Sequence, residues 1–361
     1  MVEARGGRVV VAMSGGVDSS TAAYLLTRAG CEVIGLFMRT GVTVEEGAGR
    51  RCCSLADAED ARRVAERLGI PFYVLNCKAE FDGLIDYFCS EYLRGRTPNP
   101  CIRCNTELKF GKLLRYAHAL GAEAVATGHY ARVEQWQGRW VLRRGVDAAK
   151  DQSYFLFGLG QEQLARARFP LGELTKTEVR ALARSAGLPV LEKPESQDIC
   201  FVPEASYREV LAERLGPPRP GRLVDVSGKL LGEHPGCQNF TIGQRRGLGV
   251  ALGSPYYVVA IEPDTNTVVV GPESALLARG CFVHGLVWGA LAGLRVPRPA
   301  EVQIRYQHAA APATIVPTGL DEVGVWFAEP QRAITPGQAA VFYEGDVVLG
   351  GGWIDRVERA F

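Results

Sequence analysis

Two hydrophobic periods alternate along the first 130 residues. Residues 9–13 form a continuous apolar run that enters a glycine turn, and residues 20–29 place apolar side chains at helical spacing up to Gly30. Residues 32–38 predict a second strand. Over 54–68, Leu55, Ala58, Ala61, Val64, Ala65 and Leu68 fall on one helical face; Ser54 is placed to cap it, and Gly69 and Pro71 stop it. Residues 71–76 read as a strand, 81–93 and 108–120 as helices, and 122–127 as a further strand. Strands alternating with helices predict a Rossmann-like, mostly parallel sheet with ligands at the strands' C-terminal ends.

The pattern then becomes a helical extension without intervening strands. Thr175 and Glu178 have capping-box spacing, Leu174 and Val179 can staple it, and Gly187 and Pro189 end that helix. Residues 207–215 predict another helix, and Gly216-Pro217-Pro218-Arg219-Pro220-Gly221 cannot continue it. Beyond this point the texture is β. Residues 223–226 and 230–231 predict one hairpin, 256–261 and 267–270 another, and short strands recur from about residue 279. The expected architecture is therefore an α/β domain over 1–215, a small β-rich central domain over 216–278 and a C-terminal β-barrel over 279–361.

Composition fits an ordinary globular protein, with 47% hydrophobic and 22% charged residues and no apolar run long enough for a membrane span. The first residues do not read as a signal peptide, so ten cysteines imply a reducing, cytoplasmic setting where thiols serve chemistry or metal. A net charge of +1 means that a nucleic-acid partner must be gripped by local patches. One candidate is the run Arg94, Arg96, Arg103, Lys109, Lys112 and Arg115, set against Glu107.

The string Ala12-Met13-Ser14-Gly15-Gly16-Val17-Asp18-Ser19-Ser20 joins the first strand to the first helix. Its glycines let successive N–H groups converge on an anion at the positive end of that helix. The serines add hydroxyl donors, and Asp18 can either hold Mg²⁺ or brace the loop. The lysine of a Walker loop is missing. The string resembles the PP-loop of N-type ATP pyrophosphatases, which leave AMP on an activated oxygen.

Two cysteine sites then stand out: Pro98-Asn99-Pro100-Cys101-Ile102-Arg103-Cys104, read as a rigid loop before a basic helix, and Ser196-Gln197-Asp198-Ile199-Cys200. A lone CxxC fits a redox pair or half a zinc site, and no second pair completes four ligands. Arg103 and nearby cations would favour a thiolate.

Together with LKFG, ATGHYARV, GVDAAKDQSYFL, FPLGELTKTEVR, FTIGQRRGLG, Arg305-Tyr306 and Pro336-Gly337-Gln338, these motifs resemble the bacterial tRNA-specific 2-thiouridylases nearly end to end. The resemblance implies that the C2 carbonyl of the wobble uridine in Lys, Glu and Gln tRNAs is adenylated and its oxygen replaced by sulfur. It implies an ATP site at Ala12, Met13, Ser14, Gly15, Gly16, Val17, Asp18, Ser19, Met38 and Gly128. It further implies Cys104 as nucleophile, Cys200 as persulfide carrier, and Asn99, Pro100 and Cys101 facing the base. His129, Lys150, Asp151, Gln152, Arg305, Tyr306 and Gln338 would touch tRNA, although His129 can equally orient a strand end and Tyr306 can belong to the barrel core.

The resemblance implies Asp, as in most members of that family, where this chain has Cys101. Three thiols, Cys101, Cys104 and Cys200, match a 4Fe-4S cluster with one open iron; a persulfide resolved by a disulfide needs only Cys104 and Cys200. A sulfur donor is required either way. Cys52 and Cys53 follow the glycine-rich stretch 41–49, where receiving sulfur is the minority reading, and Cys31, Cys77, Cys89, Cys237 and Cys281 read as small buried hydrophobes. The rival functions are an amide-forming PP-loop synthetase and a non-enzymatic iron–sulfur or RNA-binding protein.

Overall fold

A computed structural model describes residues 6–41, 55–191, 193, 199–202, 207–250 and 253–359. The expected cap Ser54, the pair Cys52 and Cys53, and Ser196-Gln197-Asp198 lie outside the described residues. The chain forms two compact units. One comprises Met1–Leu84, Cys101–Ala205 and Asp346–Val348; the other comprises Ile85–Pro100, Ser206–Gly345 and Leu349–Phe361.

The first unit opens as the periodicity predicts: β1 (Arg8–Ala12), α1 (Val17–Arg28), β2 (Glu32–Arg39), α2 (Leu55–Leu68), β3 (Phe72–Asn76) and α3 (Lys78–Leu93), whose second half belongs to the other unit. There follow α4 (Pro100–Arg103), a π-helix (Cys104–Lys112), α5 (Leu113–Ala119) and β4 (Ala124–Ala126). The stretch expected to lack strands contains β5 (Ala131–Trp136) and β6 (Arg139–Arg144), then α6 (Ser153–Leu156), α7 (Gln161–Arg166), β7 (Ala167–Arg168) and α8 (Lys176–Ser185). Arginines and Glu134 spread along β5 and β6 hide their alternation, because this hairpin keeps much of its surface wet.

The parallel sheet runs β3-β2-β1-β4-β7, so chain direction across the sheet reverses beside β1. Val10 and Val11 at its centre are fully buried, and Leu26, Ala61, Val64, Val179 and Ala183 cover it from α1, α2 and α8. α8 starts at the capping box foreseen: Thr175 accepts from the Glu178 amide, and the Glu178 carboxylate accepts from the Thr175 N–H at 2.7 Å. Leu174 and Val179 join the same core.

The second unit holds α9 (Tyr207–Leu215) and a four-stranded sheet of β8 (Gly221–Asp225), β9 (Leu230–His234), β10 (Tyr257–Glu262) and β11 (Thr267–Gly271). Both expected hairpins are present, and β11 pairs parallel to β8 to join them. Next come β12 (Leu277–Trp288), β13 (Arg298–Gln303), β14 (Ala311–Pro317), β15 (Glu322–Arg332), β16 (Ala339–Glu344) and β17 (Val347–Arg359). Their order is β12-β15-β14-β13-β16-β17, and a second pairing of β12 with β17 closes the barrel and removes its open edges.

Barrel residues fasten the segment that precedes α4. Arg96 donates to Glu91 (2.9 Å), Asp355 (2.7 Å) and the Ile354 carbonyl (3.1 Å). The Thr97 N–H donates to the Pro336 carbonyl (2.8 Å), and the Gln338 amide donates to the carbonyls of Thr97 (2.9 Å) and Pro98 (3.3 Å). Gly337 has φ +89°, and a Cβ there would lie 2.9 Å from the Thr97 oxygen.

The hydrogen bond from Arg96 holds the Asp355 carboxyl below its ordinary range, against a smaller opposing effect of burial. A depressed folded-state pKa stabilises above the unfolded value of about 3.9 and ceases to do so as pH falls through the folded value. Asp355→Asn is therefore expected to lower the urea midpoint at pH 7, with the gap to the parent chain narrowing as the pH falls below the unfolded value of about 3.9.

Candidate functional site

The turn after β1 is built for close approach. Ser14 donates its N–H to the Ser19 hydroxyl at 3.1 Å, and the Ser20 hydroxyl donates to the Gly16 carbonyl at 2.8 Å. Gly15, at φ +72°, lies so near α2 that a Cβ would sit 2.3 Å from the Asp57 carbonyl oxygen. Gly128, just past β4, would place a Cβ 2.6 Å from the Ser19 nitrogen. Gly16 caps α1 without a side chain. Ala12 to Ser19, half-buried Met38 at the end of β2, and Gly128 thus gather at the C-terminal ends of β1, β2 and β4, where an α/β sheet takes its ligand.

Of the two roles open to Asp18, the structure displays bracing. Both carboxylate oxygens accept from Lys176 Nζ at 2.8 Å, and Oδ1 also accepts from the Tyr130 hydroxyl at 2.8 Å. Lys193 bonds the Gly15 carbonyl (3.1 Å), Asp57 (2.5 Å) and Asp60 (2.7 Å). Burial works against its charge, but those two aspartates outweigh burial and raise its pKa. Sequence reasoning missed Lys176, Tyr130 and Lys193. Lys176 hides inside a capping box, and nothing in the local pattern around Lys193 points at the loop.

The CxxC segment is helical where a loop was expected. Pro100 occupies the first position of α4, where its missing N–H costs nothing, and Cys101 and Cys104 follow three residues apart on one face. Cys104 opens the π-helix, a geometry with widened turns. Asn105 anchors it by donating to the Phe155 carbonyl at 3.0 Å and accepting from Lys109 at 2.9 Å. Burial raises the Cys104 thiol pKa; Lys109 opposes this and Glu107 reinforces it. Arg103, expected to favour the thiolate, is instead paired with Glu107 at 2.7 Å. Half-buried Cys200 stands beside Phe201, whose ring meets Phe81 edge-on at 5.7 Å. Cys31, Cys77, Cys89, Cys237 and Cys281 are buried as expected, and burial pushes Cys77 up to about 11.

Among the described residues no three His, Cys, Asp or Glu side chains come together to hold a metal ion.

Several residues expected to meet tRNA have internal partners. Asp151 is a buried hub that accepts from Arg144, the Gly145 and Ser153 N–H groups and the Ser153 hydroxyl. Gln152 accepts from the Tyr130 N–H, and Gln338 secures residues 97 and 98. His129 shares a hydrogen bond with Thr127, and burial, aided by Lys109, lowers its pKa well below the usual histidine value. It is therefore neutral at pH 7. Lys150, Arg305 and Tyr306 are half-buried, the last two in the turn after β13 that Gln303 bonds. The expected basic patch is also largely neutralised: Arg94 and Arg96 pair with Glu91, Arg103 with Glu107 and Lys112 with Glu80.

Three family models match in succession: a tRNA methyl transferase HUP domain over residues 7–204, a tRNA methyl transferase PRC-barrel domain over 208–272, and an aminomethyltransferase beta-barrel domain over 279–354. The chain is 52% identical to the tRNA-specific 2-thiouridylase MnmA of Carboxydothermus hydrogenoformans, over 97% of this chain and 98% of the relative. It is 53% identical to the protein of that name from Geotalea uraniireducens, over 97% and 95% respectively. A solved 4-thiouridine synthetase–RNA complex with bound ATP is a remote likeness, 16% identical with a TM-score of 0.37 over 54% of this chain and 45% of that one.

The charges around Cys104 set a testable order. Its alkylation by iodoacetamide should titrate above the ordinary thiol value of about 8.5. Lys109→Met should move the midpoint higher and Glu107→Gln lower, read by mass spectrometry of the Cys104 peptide.

Proposed function

Because the chain belongs to the tRNA-specific 2-thiouridylase family, we propose that it is an ATP-dependent sulfurtransferase acting on C2 of the wobble uridine of Lys, Glu and Gln tRNAs. The observation that carries this reading is identity above 50% across almost the whole of both chains, with the phosphate-loop string forming a close-packed glycine turn before α1.

In the proposed reaction the C2 oxygen attacks the α-phosphorus of ATP, and pyrophosphate leaves. Ala12, Met13, Ser14, Gly15, Gly16, Val17, Asp18, Ser19, Met38 and Gly128 form the nucleotide site. Mg²⁺ would supply charge neutralisation on the triphosphate, and Asp18, the loop's one carboxylate, would hold it in place of its present partners Lys176 and Tyr130. A splayed anticodon base is accessible to such a pocket in a way that a base-paired one is not. Asn99, Pro100 and Cys101 face the base in this reading, while His129, Lys150, Asp151, Gln152, Arg305, Tyr306 and Gln338 serve tRNA directly or by holding the backbone that does.

For sulfur delivery we take the persulfide route, which needs only two of the three thiols, Cys104 and Cys200. A persulfide donor loads Cys200, and the terminal sulfur adds to C2. The Cys104 thiolate then attacks the Cys200 sulfur, forming a Cys104–Cys200 disulfide and leaving sulfur on the base as AMP departs. An external thiol reduces the disulfide. The domains proposed for this work span 1–215, 216–278 and 279–361, in the cytoplasm; among the described residues no helix is long and apolar enough to cross a membrane.

Two substitutions separate the routes. Cys200→Ser should abolish 2-thiouridine formation while sparing tRNA-dependent pyrophosphate release, and Cys101→Asp should retain thiolation. Loss of thiolation in Cys101→Asp, together with loss of bound iron, would favour the cluster. Loss of activity in Cys104→Ala would exclude an amide-forming PP-loop synthetase, which requires no cysteine.

A further inference from the structure

The phosphate loop carries no lysine between Ser14 and Ser20, yet a leaving pyrophosphate needs a cation. Among the described residues, Lys176 and Lys193 reach the loop from elsewhere in the chain, and the bonds recorded for them differ. Lys193 directs Nζ at three separate acceptors, Asp57, Asp60 and the Gly15 carbonyl, which matches an ammonium's three donors and makes it a brace. Lys176 directs two bonds at a single carboxylate, that of Asp18, whose side chain is 32% exposed. Another anion can replace that carboxylate.

The placement of Lys176 is electrostatically costly without an anion. It is the first residue of α8, at the positive end of a helix where cations are disfavoured, and its side chain is only 12% exposed. Asp18 lies in the first turn of α1, a second positive helix end. The Tyr130 hydroxyl donates to the same carboxylate, and the Tyr130 ring lies 5.8 Å from Lys176 Nζ. Ammonium, hydroxyl and helix end thus form an anion cradle that the protein's own carboxylate fills.

We infer that Lys176 is the cation that receives the pyrophosphate leaving group, exchanging Asp18 for the β- and γ-phosphates when ATP enters. The inference rests on the adenylation reading above. As the uridine C2 oxygen forms its bond to the α-phosphorus, the bond from that phosphorus to the bridging oxygen breaks. The electron pair stays on pyrophosphate, and the ammonium meets the growing charge without transferring a proton. Tyr130 follows as a hydroxyl donor to the same group.

The test uses the full chain without tRNA or sulfur donor, titrated calorimetrically with magnesium pyrophosphate and separately with AMP. Lys176→Met should bind pyrophosphate at least about tenfold more weakly, the worth of one charged hydrogen bond. Its AMP affinity should be unchanged, and Lys176→Arg should recover most of the loss. Pyrophosphate affinity equal to the parent's, or AMP affinity lost in parallel, would overturn the inference, the second result marking a merely structural lysine. Lys176→Gln repeats the comparison if the Met variant does not fold. A parent chain that shows the Lys176-dependent pyrophosphate affinity but forms no 2-thiouridine would sink the thiolation reading alone. A parent that binds neither ligand would sink adenylation and this role together.

Discussion

The constraint on which the first unit depends is the lack of room around the turn between β1 and α1. Two chain segments press on that turn with their backbones: α2 at Gly15 and the end of β4 at Gly128. Neither contact tolerates a Cβ, so the positions of α2, β4 and the loop are set together. The sheet's reversal beside β1 brings these segments to one edge, and Lys193 ties the loop to the first turns of α2. A binding turn formed from backbone in this way keeps its N–H groups directed at an anion without relying on mobile side chains.

Much of this was legible in the sequence. Apolar runs of five residues, a helical stripe from Leu55 to Leu68 and the Thr175–Glu178 box each carry a local physical signature, and each marks an element that the structure contains. The misses also have local causes. Alternation in β5 and β6 is masked by charged residues on a wet hairpin, with Arg132 and Arg143 pairing with Asp346, far along the chain. Pro98 and Pro100 suggested a loop around the cysteines because proline usually interrupts helices. Pro100 in fact starts one.

Closeness of charges in the sequence did not foretell how they pair in the fold. Arginines close together in sequence suggested a phosphate-binding surface, but glutamates outside the inspected run, Glu80 and Glu91, claim several of those cations. Lys176 shows the reverse case, a cation 158 residues from the carboxylate it serves, invisible to any window of sequence. Partners at such separations are found only once the fold brings them together.

The fastening of residues 96–98 has a consequence for how the molecule comes into being. Arg96 finds Asp355 at a separation of 259 residues, and Thr97 finds Gln338 at 241. A chain emerging from the ribosome makes this stretch long before it makes its partners, and contacts of such range form late. The parallel sheet and its phosphate loop draw on earlier residues and can assemble first. The backbone leading into Cys101 acquires its final hydrogen bonds only after β17 has been synthesised and laid into the barrel. Nascent chains with a folded nucleotide turn would thus pass through a stage in which residues 96–98 are not yet fastened, and maturation would proceed from the barrel's last strand back to the middle of the chain.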